Sequence, residues 1–595
     1  MSSVAAVLNT AGPPETDGVT RALAAAPHRG IDVSVAVIGS CALGVSTSRP
    51  GDGGLAVDGE LAVALAGTVD NIDELLAESA ANDARVSPSE PAQVLLDAWR
   101  TVGEDLPRRL RGAYAVVVSD GRRLWCFRDH LGLGSLFVRH RPPVFWVASE
   151  TKQVLAAAEV DPQPDLDVLE TMFYGAETDR TGTALAGAER VPKSTLLRVS
   201  KGGSVSSRYW EPERLLETGL YRSDEIPERF DALMRRAVNR VLHGDEVLAL
   251  SGGIDSPTLA AFAAEAHRSR FQTRLMALSQ VFPDFPSCDE RRWIELVASE
   301  LGIDVHTYQP QPRERSLAEL PQLVQLFDGP WSGAWAPGMD VERYRRIKAM
   351  GRTGMLTGEF AEYVMDFRRH LLGHLVVHGR LRAALQQMRH QYSRGSTFAS
   401  LARQLVAAIL PGPAIAAYRR RNPRFPPTDW IEFSRIVRAF RSEVVRPRER
   451  WRRQQLAAFV GPGITLEAYQ TYQEAWGVHV RNPWGDIDLW EFFLAMPAEQ
   501  KFPDARSKPL VRDAMRGRVP DAVLDRRDKT LLDEFVIAGF DYPSLRRWLR
   551  DEEFRMPGVD YAALWRHLER EDLTTFGYLW AKDLAAIHAF LSRWS

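Results

Sequence analysis

The chain of 595 residues has little cysteine: Cys41, Cys126 and Cys288 are its only three, far apart in sequence. Scattered thiols exclude a disulfide framework and a four-cysteine zinc site, and they fit a reducing, cytoplasmic setting. Charge of one sign is lacking too. Lys plus Arg number 75 and Asp plus Glu 77, for a net charge of −2, so nothing global points to a nucleic-acid partner. No apolar run approaches the roughly 18 residues of a membrane span. The first residues, MSSVAAVLNTAGPPETDG, carry no basic segment ahead of their short apolar stretch, so no signal peptide is expected. Lysine is scarce beside arginine, so a local arginine cluster carries little weight alone. What is present, 45% hydrophobic and 26% charged residues, is the composition of a soluble globular protein. The length calls for two or more domains.

Up to about residue 205 the chain reads as short alternating segments: VSVAVIGSCALGVS (33–46), GELAVALAGTV (59–69), AYAVVVSD (113–120), RLWCFRD (123–129) and PVFWVASE (143–150). A helical stretch, PAQVLLDAWRTVG (91–103), interrupts them. This is the pattern of a sheet-rich α+β domain. The polar stretch 200–213 places a boundary near residue 208, giving domains 1–208 and 209–595. From about 225 the period changes. A helix at 226–242 leads to a strand at 246–250, a helix, a strand at 274–281, a helix at 289–301, and strands at 303–308 and 352–359. Alternating strands and helices predict a parallel, doubly wound α/β sheet whose ligands bind beyond the C-terminal strand ends. Ser251, Ser279 and Thr357 fall at those ends. Residues 366–460 read as helical and rich in arginine.

One stretch carries chemistry of its own, LALSGGIDSPTLAAF (248–262). A short apolar strand meets Ser251, Gly252 and Gly253, and an Ala- and Leu-rich helix follows, with Pro257 suited to its first turn. Two glycines bring backbone close to a ligand, and a helix N-terminus offers free N–H groups and the positive end of a dipole. The turn is therefore an anion cradle. Its spacing is neither that of a Walker loop nor G-x-G-x-x-G.

The cradle resembles the pyrophosphate loop of ATP pyrophosphatases. Three further segments, LTGEFAEYVMD (356–366), HVRNPWGDIDLWEFFLAMP (479–497) and KPLVRDAMRGRVPDAVLDRRDKT (508–530), resemble the asparagine synthetase superfamily. The N-terminal half resembles the same superfamily through His28-Arg29-Gly30, LRGAYAVVVSD (110–120), RDHLGLGSLF (128–137) and ASETKQVL (148–155). The resemblance implies an Ntn-hydrolase-like, class II glutamine amidotransferase-like α+β domain, followed by an α/β ATP-pyrophosphatase (PP-loop) synthetase domain with helical additions. It implies ATP and Mg²⁺. ATP would be held by Leu250, Ser251, Gly252, Gly253, Asp255, Ser256, Ser279, Thr357 and Gly358, and the metal by Asp255 and Glu362. Glu359, Lys529 and Asp255 would be catalytic. Phe360 stands where the family loop has a glycine, and Glu362 where it has an aspartate.

The departures narrow the expectation. Glutamine-dependent members use an N-terminal cysteine nucleophile; position 2 here is Ser2. Ala66-Gly67-Thr68 replaces the family's Asn-Gly-Glu, which supplies the oxyanion-hole amide and a glutamine-binding acid. A glutaminase domain kept as a scaffold is expected, with the amine supplied by the substrate. Two branches of the superfamily fit: lasso-peptide cyclases, which join a ribosomal peptide's N-terminal amine to an Asp or Glu side chain, and β-lactam synthetase-like or ammonia-using ligases of small acids. The arginine-rich stretch 366–460 favours the peptide branch, whose partners would be the precursor peptide, a leader-peptide-binding protein and a leader peptidase. A non-catalytic ATP-binding scaffold and a pyrophosphatase acting on transfer RNA are the remaining alternatives. The retained Ser251, Asp255, Glu359, Glu362 and Lys529 weigh against the first, and the near-neutral charge against the second.

Overall fold

The structure is a computed structural model. It describes residues 1–49, 51–80, 90–174, 181–312, 317–331, 337–365, 368, 370–393, 397–410, 429–432, 434–435, 449–456, 464–504, 506–528, 530–550 and 554–594.

Alternation in the first 210 residues folds into two six-stranded sheets, each antiparallel throughout. The segment 33–46, read as one unit, is a hairpin of Asp32–Ile38 and Cys41–Thr47 turning at Gly39. The strand Ser2–Asn9 has no polar alternation because both its faces are covered. Val4, Ala6 and Leu8 meet the second sheet, while Ala5 and Val7 meet the helices Thr16–Ala24 and Thr151–Ala157. The helix Pro91–Val102 covers the outer face of the other sheet through Val94, Leu95 and Trp99. The layers run helix, sheet, sheet, helix.

The second half builds a five-stranded parallel sheet in the order Asp304–Tyr308, Met276–Gln280, Glu246–Ala249, Gly354–Leu356, His479–Arg481. The first strand in sequence is central, and the chain continues outward to one side and then the other. That reversal opens a crevice beyond the strand ends. The strand expected at 352–359 is short because the chain leaves the sheet at Thr357, whose hydroxyl turns to Asn482. Most described parts of 366–460 are helical, over Leu371–Val377, Leu381–Ser393, Phe398–Ile409 and Arg450–Gln455, while Ile431 forms an isolated bridge to Val559.

The halves share one apolar core. Leu65, Trp99, Phe127 and Leu131 of the first half join Leu248, Phe262, Trp484 and Phe493 of the second, with Tyr209, Trp210 and Leu216 between them. Charged pairs cross the same boundary, among them Arg111 to Asp488 at 2.8 Å and Arg240 to Glu74 at 2.7 Å. No described helix is long and apolar enough to cross a membrane.

Candidate active site

The cradle forms where the central strand meets the helix Asp255–Ala266, two residues earlier than the Ala-rich run suggests, with Pro257 still in the first turn. The Ser251 N–H donates to Ser256 Oγ at 2.9 Å, and the two serine hydroxyls lie 2.9 Å apart. The Gly252 N–H donates to the Glu290 carboxylate at 2.9 Å, so the cradle binds an anionic oxygen of its own chain. Arg526 ties this corner together, donating to the Gly252 carbonyl at 2.8 Å and to Glu290 at 2.7 Å. A Cβ on Gly252 would lie 2.7 Å from Trp293 Cβ, which explains the glycine there.

The loop after Leu356 closes onto the cradle. A Cβ on Gly358 would lie 2.9 Å from the Ser256 nitrogen, so only glycine lets the two backbones meet. Ser279, at the end of the neighbouring strand, is buried, and its Oγ has no hydrogen-bond partner among the described residues. A buried hydroxyl without a partner is costly, and it marks where a polar ligand atom would be accepted. Ser251, Gly252, Gly253, Ser256, Ser279, Thr357 and Gly358 thus gather at adjacent strand ends, and Leu250 follows directly on the central strand's last residue.

Two acids of the expected set are brought into contact with further residues. Asp255 accepts from Lys508 Nζ at 2.6 Å. Glu359 is half-buried, and its carboxylate accepts from the Tyr469 hydroxyl at 2.8 Å. Burial, with Asp340 nearby, pushes Glu359 up to about 7, against the opposing pull of Tyr469 and Arg343. The next residue, Phe360, has φ of 70°. A non-glycine residue there is strained by about 1–3 kcal/mol, and the buried ring packed near Trp490 and Tyr363 holds it. Glu362 is exposed, in the first turn of the short helix Ala361–Met365. Lys529 lies outside the described residues.

Lys508, Tyr469, Glu290 and Arg526 were not singled out in the sequence. Lys508 opens the segment 508–530 that resembles the superfamily and Arg526 lies near its end, so both had a signal. Tyr469 had none, because it reaches the site on a helix 110 residues downstream of Glu359. Arg481 and Asp486, in register with the superfamily pattern, are structural. Arg481 pairs with Asp245 and Glu246 under the sheet, and Asp486 caps the helix Ile487–Ala495 while accepting from Arg240.

The N-terminal pocket is arranged differently. Ser2 Oγ accepts from the Gly67 N–H at 2.8 Å. Arg29 donates to Glu150 and to the Ser2 carbonyl, His28 pairs with Glu150 at 2.7 Å, and Lys152 bridges Glu150 and Asp328.

The site's oxygen donors suit ATP and a hard cation. Asp255 and Glu362 are carboxylates of the kind that hold Mg²⁺ together with substrate phosphates. Among the described residues no three His, Cys, Asp or Glu side chains cluster as a metal site of their own.

Residues 229–587 match the asparagine synthase family, and residues 1–210 a glutamine amidotransferase domain. The glutamine-hydrolyzing asparagine synthetase 3 of Bacillus subtilis is 27% identical over 254 residues, 40% of this chain and 41% of that relative. A putative glutamine-hydrolyzing asparagine synthetase of Mycobacterium tuberculosis is 25% identical over 252 residues, 40% of this chain and 37% of that protein. The chain thus matches about two fifths of the length of these relatives. A solved class-II glutamine aminotransferase domain protein from Silicibacter pomeroyi is 13% identical, covering 35% of this chain and 97% of its own with a TM-score of 0.18.

Proposed function

Because the chain belongs to the asparagine synthase family, we propose that it is an ATP-dependent, AMP-forming amide ligase with an inactive glutaminase domain. Its substrate in this reading is a peptide, and the chemistry is that of a lasso-peptide cyclase. The observation that carries the ligase reading is the Ser251–Ser256 cradle closed by Gly358 and flanked by Glu359.

The side-chain carboxylate of an Asp or Glu in the peptide attacks the α-phosphate of ATP. Pyrophosphate leaves onto the cradle, displacing the Glu290 carboxylate from the Gly252 N–H, so that Ser251, Gly252, Gly253 and Ser256 present hydroxyls and N–H groups. The product is an acyl-adenylate. The peptide's free α-amine then attacks the acyl carbon, an amide bond forms, and AMP leaves. Glu359 is poised to take the amine proton, since its ordinary acidity has been pushed to about 7, near the working pH. Lys508 holds Asp255 in place, and Lys529 would meet the charge on the departing group. Mg²⁺ held by Asp255 and Glu362 would neutralise phosphate charge.

Loss of glutaminase function is supported at Ser2 and Ala66. Ser2 Oγ is engaged by the Gly67 N–H, and Ala66 offers no side-chain donor where the family has an asparagine. Arg29, the arginine of the His-Arg-Gly motif, is held by Glu150. The peptide reading draws on the helices after residue 370. Leu381 and Leu385 lie one turn apart at 59% and 55% exposure, and Phe398 at 76%. Such apolar surface suits an extended chain better than a small acid. Some arginines of this region act within the fold instead: Arg380 holds Glu217 and Glu499, and Arg368 the Asp504 carbonyl.

The second reading, a ligase acting on a small acid, is favoured by the names of the relatives, asparagine synthetases. The test incubates the protein with ATP, Mg²⁺ and a leaderless candidate peptide, and follows AMP and peptide mass. AMP together with a peptide lighter by one water supports the cyclase. AMP formed only with small acids moves the assignment to the second reading. ADP, or no turnover with any acid, overturns both.

A further inference from the structure

The helix Ile464–Ala475 lies between the two halves and touches functional groups on opposite faces. Residues two apart on a helix point about 200° apart, and residues three or four apart share a face. Tyr469 looks toward the crevice, and Tyr472 into an apolar cluster. Tyr469 donates to Glu359 at 2.8 Å, and Tyr472 packs near Tyr344 and Trp331. Glu467 and Thr471 look the other way, into the N-terminal half. Glu467 is buried and accepts from Arg128 at 2.7 Å and Arg190 at 3.2 Å, and Arg29 donates to Thr471 at 3.4 Å.

This back face is not closely packed. A cavity of about 80 Å³ runs along it, lined by Arg29, Glu150, Arg190, Asp328, Glu467 and Thr471 among others. On this face, where packing atoms are missing, the ion pairs carry the hold on the helix, while Tyr472 packs into an apolar cluster elsewhere. Arg128 is fully buried, so its bond to Glu467 works in a low-dielectric setting.

We propose that Glu467, gripped by Arg128 and Arg190 of the glutaminase-like half, is a positioning residue that holds Tyr469 against Glu359. The inactive half thereby takes part in amide formation. This rests on the proposed function only in treating Glu359 as the group that handles the proton. The groups facing Glu359 are Tyr469, Asp340, Arg343, Tyr344 and Tyr363; those facing Glu467 are Arg128, Arg190 and, farther off, Arg29. A hydroxyl donating to a carboxylate favours its charged form. Losing that bond raises the pH at which Glu359 ionises.

The test labels the full-length protein with a carbodiimide and glycine ethyl ester across pH, and reads labelling of Glu359 by peptide mass spectrometry. The wild-type midpoint is expected near pH 7. Glu467→Gln should move it upward, in the same direction as Tyr469→Phe, and should slow amide formation on the order of 10²-fold with the KM for ATP unchanged. Combining the two substitutions should add nothing to Tyr469→Phe alone. Arg190→Lys keeps the charge and the fold, and should give a smaller upward shift. An unchanged midpoint in Glu467→Gln and Arg190→Lys overturns the proposal, as does an unchanged midpoint in Tyr469→Phe. Labelling needs no turnover, so failure of the ligase reading, seen as no AMP from the wild type, is a separate result.

Discussion

The two polar pockets of this chain contain similar ingredients and dispose of them in opposite ways. In the N-terminal pocket the charges converge on one carboxylate: Arg29, His28 and Lys152 all meet Glu150, and Lys152 also reaches Asp328, which burial pushes up to about 6. Burial opposes ionisation of Glu150, yet Lys152, Arg29 and His28 hold it well below the usual carboxylate range. In the crevice of the synthetase half, Ser279 Oγ is buried without a described partner and Glu359 sits near neutrality. Self-satisfied charges stabilise a fold, whereas groups left short of partners can be completed by a substrate. In the proposed function the first pocket belongs to the framework and the second carries the chemistry.

The comparison breaks if Glu359 is dispensable. Glu359→Gln should slow amide formation by about 10²–10⁴-fold, and amide formation by the wild type should rise with pH through about 7 as the carboxylate deprotonates, a limb absent from the variant. Asp255→Asn should lower AMP formation by about 10²–10³-fold without changing the unfolding midpoint upward or downward beyond a few degrees, measured by AMP release and thermal melting. In the N-terminal pocket the effects should fall on stability instead. Arg29→Met leaves Glu150 with less compensation in a buried site, and should cost about 3–5 kcal/mol in urea unfolding. Because Glu150 is held below its unfolded value, its contribution is present above the unfolded pKa and is lost as pH falls through the lower folded one, so wild-type stability should decline on acidification below about pH 4. Smallest of all, Ser2→Ala should leave amide formation unchanged, with no glutamine hydrolysis in either protein. Glutamate release by wild type would remove the contrast.

Most of the sheet framework was legible because short apolar runs bounded by turn residues mark strands even where both faces are buried, as in Cys41–Thr47 and Leu124–Arg128. Ser2–Asn9 was not read as a strand, although it too is buried on both faces. His479–Arg481 was hidden as well: three residues are too few to show a period. The cradle could be read from local chemistry, because strand, glycine turn and helix are contiguous. Glu359 and Glu362 needed the family resemblance, and Tyr469 needed the fold. Its helix stands next to residues 457–463, outside the described part, and nothing in its own sequence marks one tyrosine above its neighbour Tyr472. A contact between positions 359 and 469 is a product of topology, which no local pattern encodes.

The core shared by Leu65, Phe127 and Trp99 with Leu248, Phe262 and Trp484 has a consequence for how such a chain can change over generations. A domain that has lost its reaction is ordinarily free to be deleted. Here deletion would strip the hydrophobic cover from the surviving half and leave a sticky remnant prone to precipitate. In the proposed function the first 210 residues are therefore free to drift at their old pocket and bound to persist wherever they touch their neighbour.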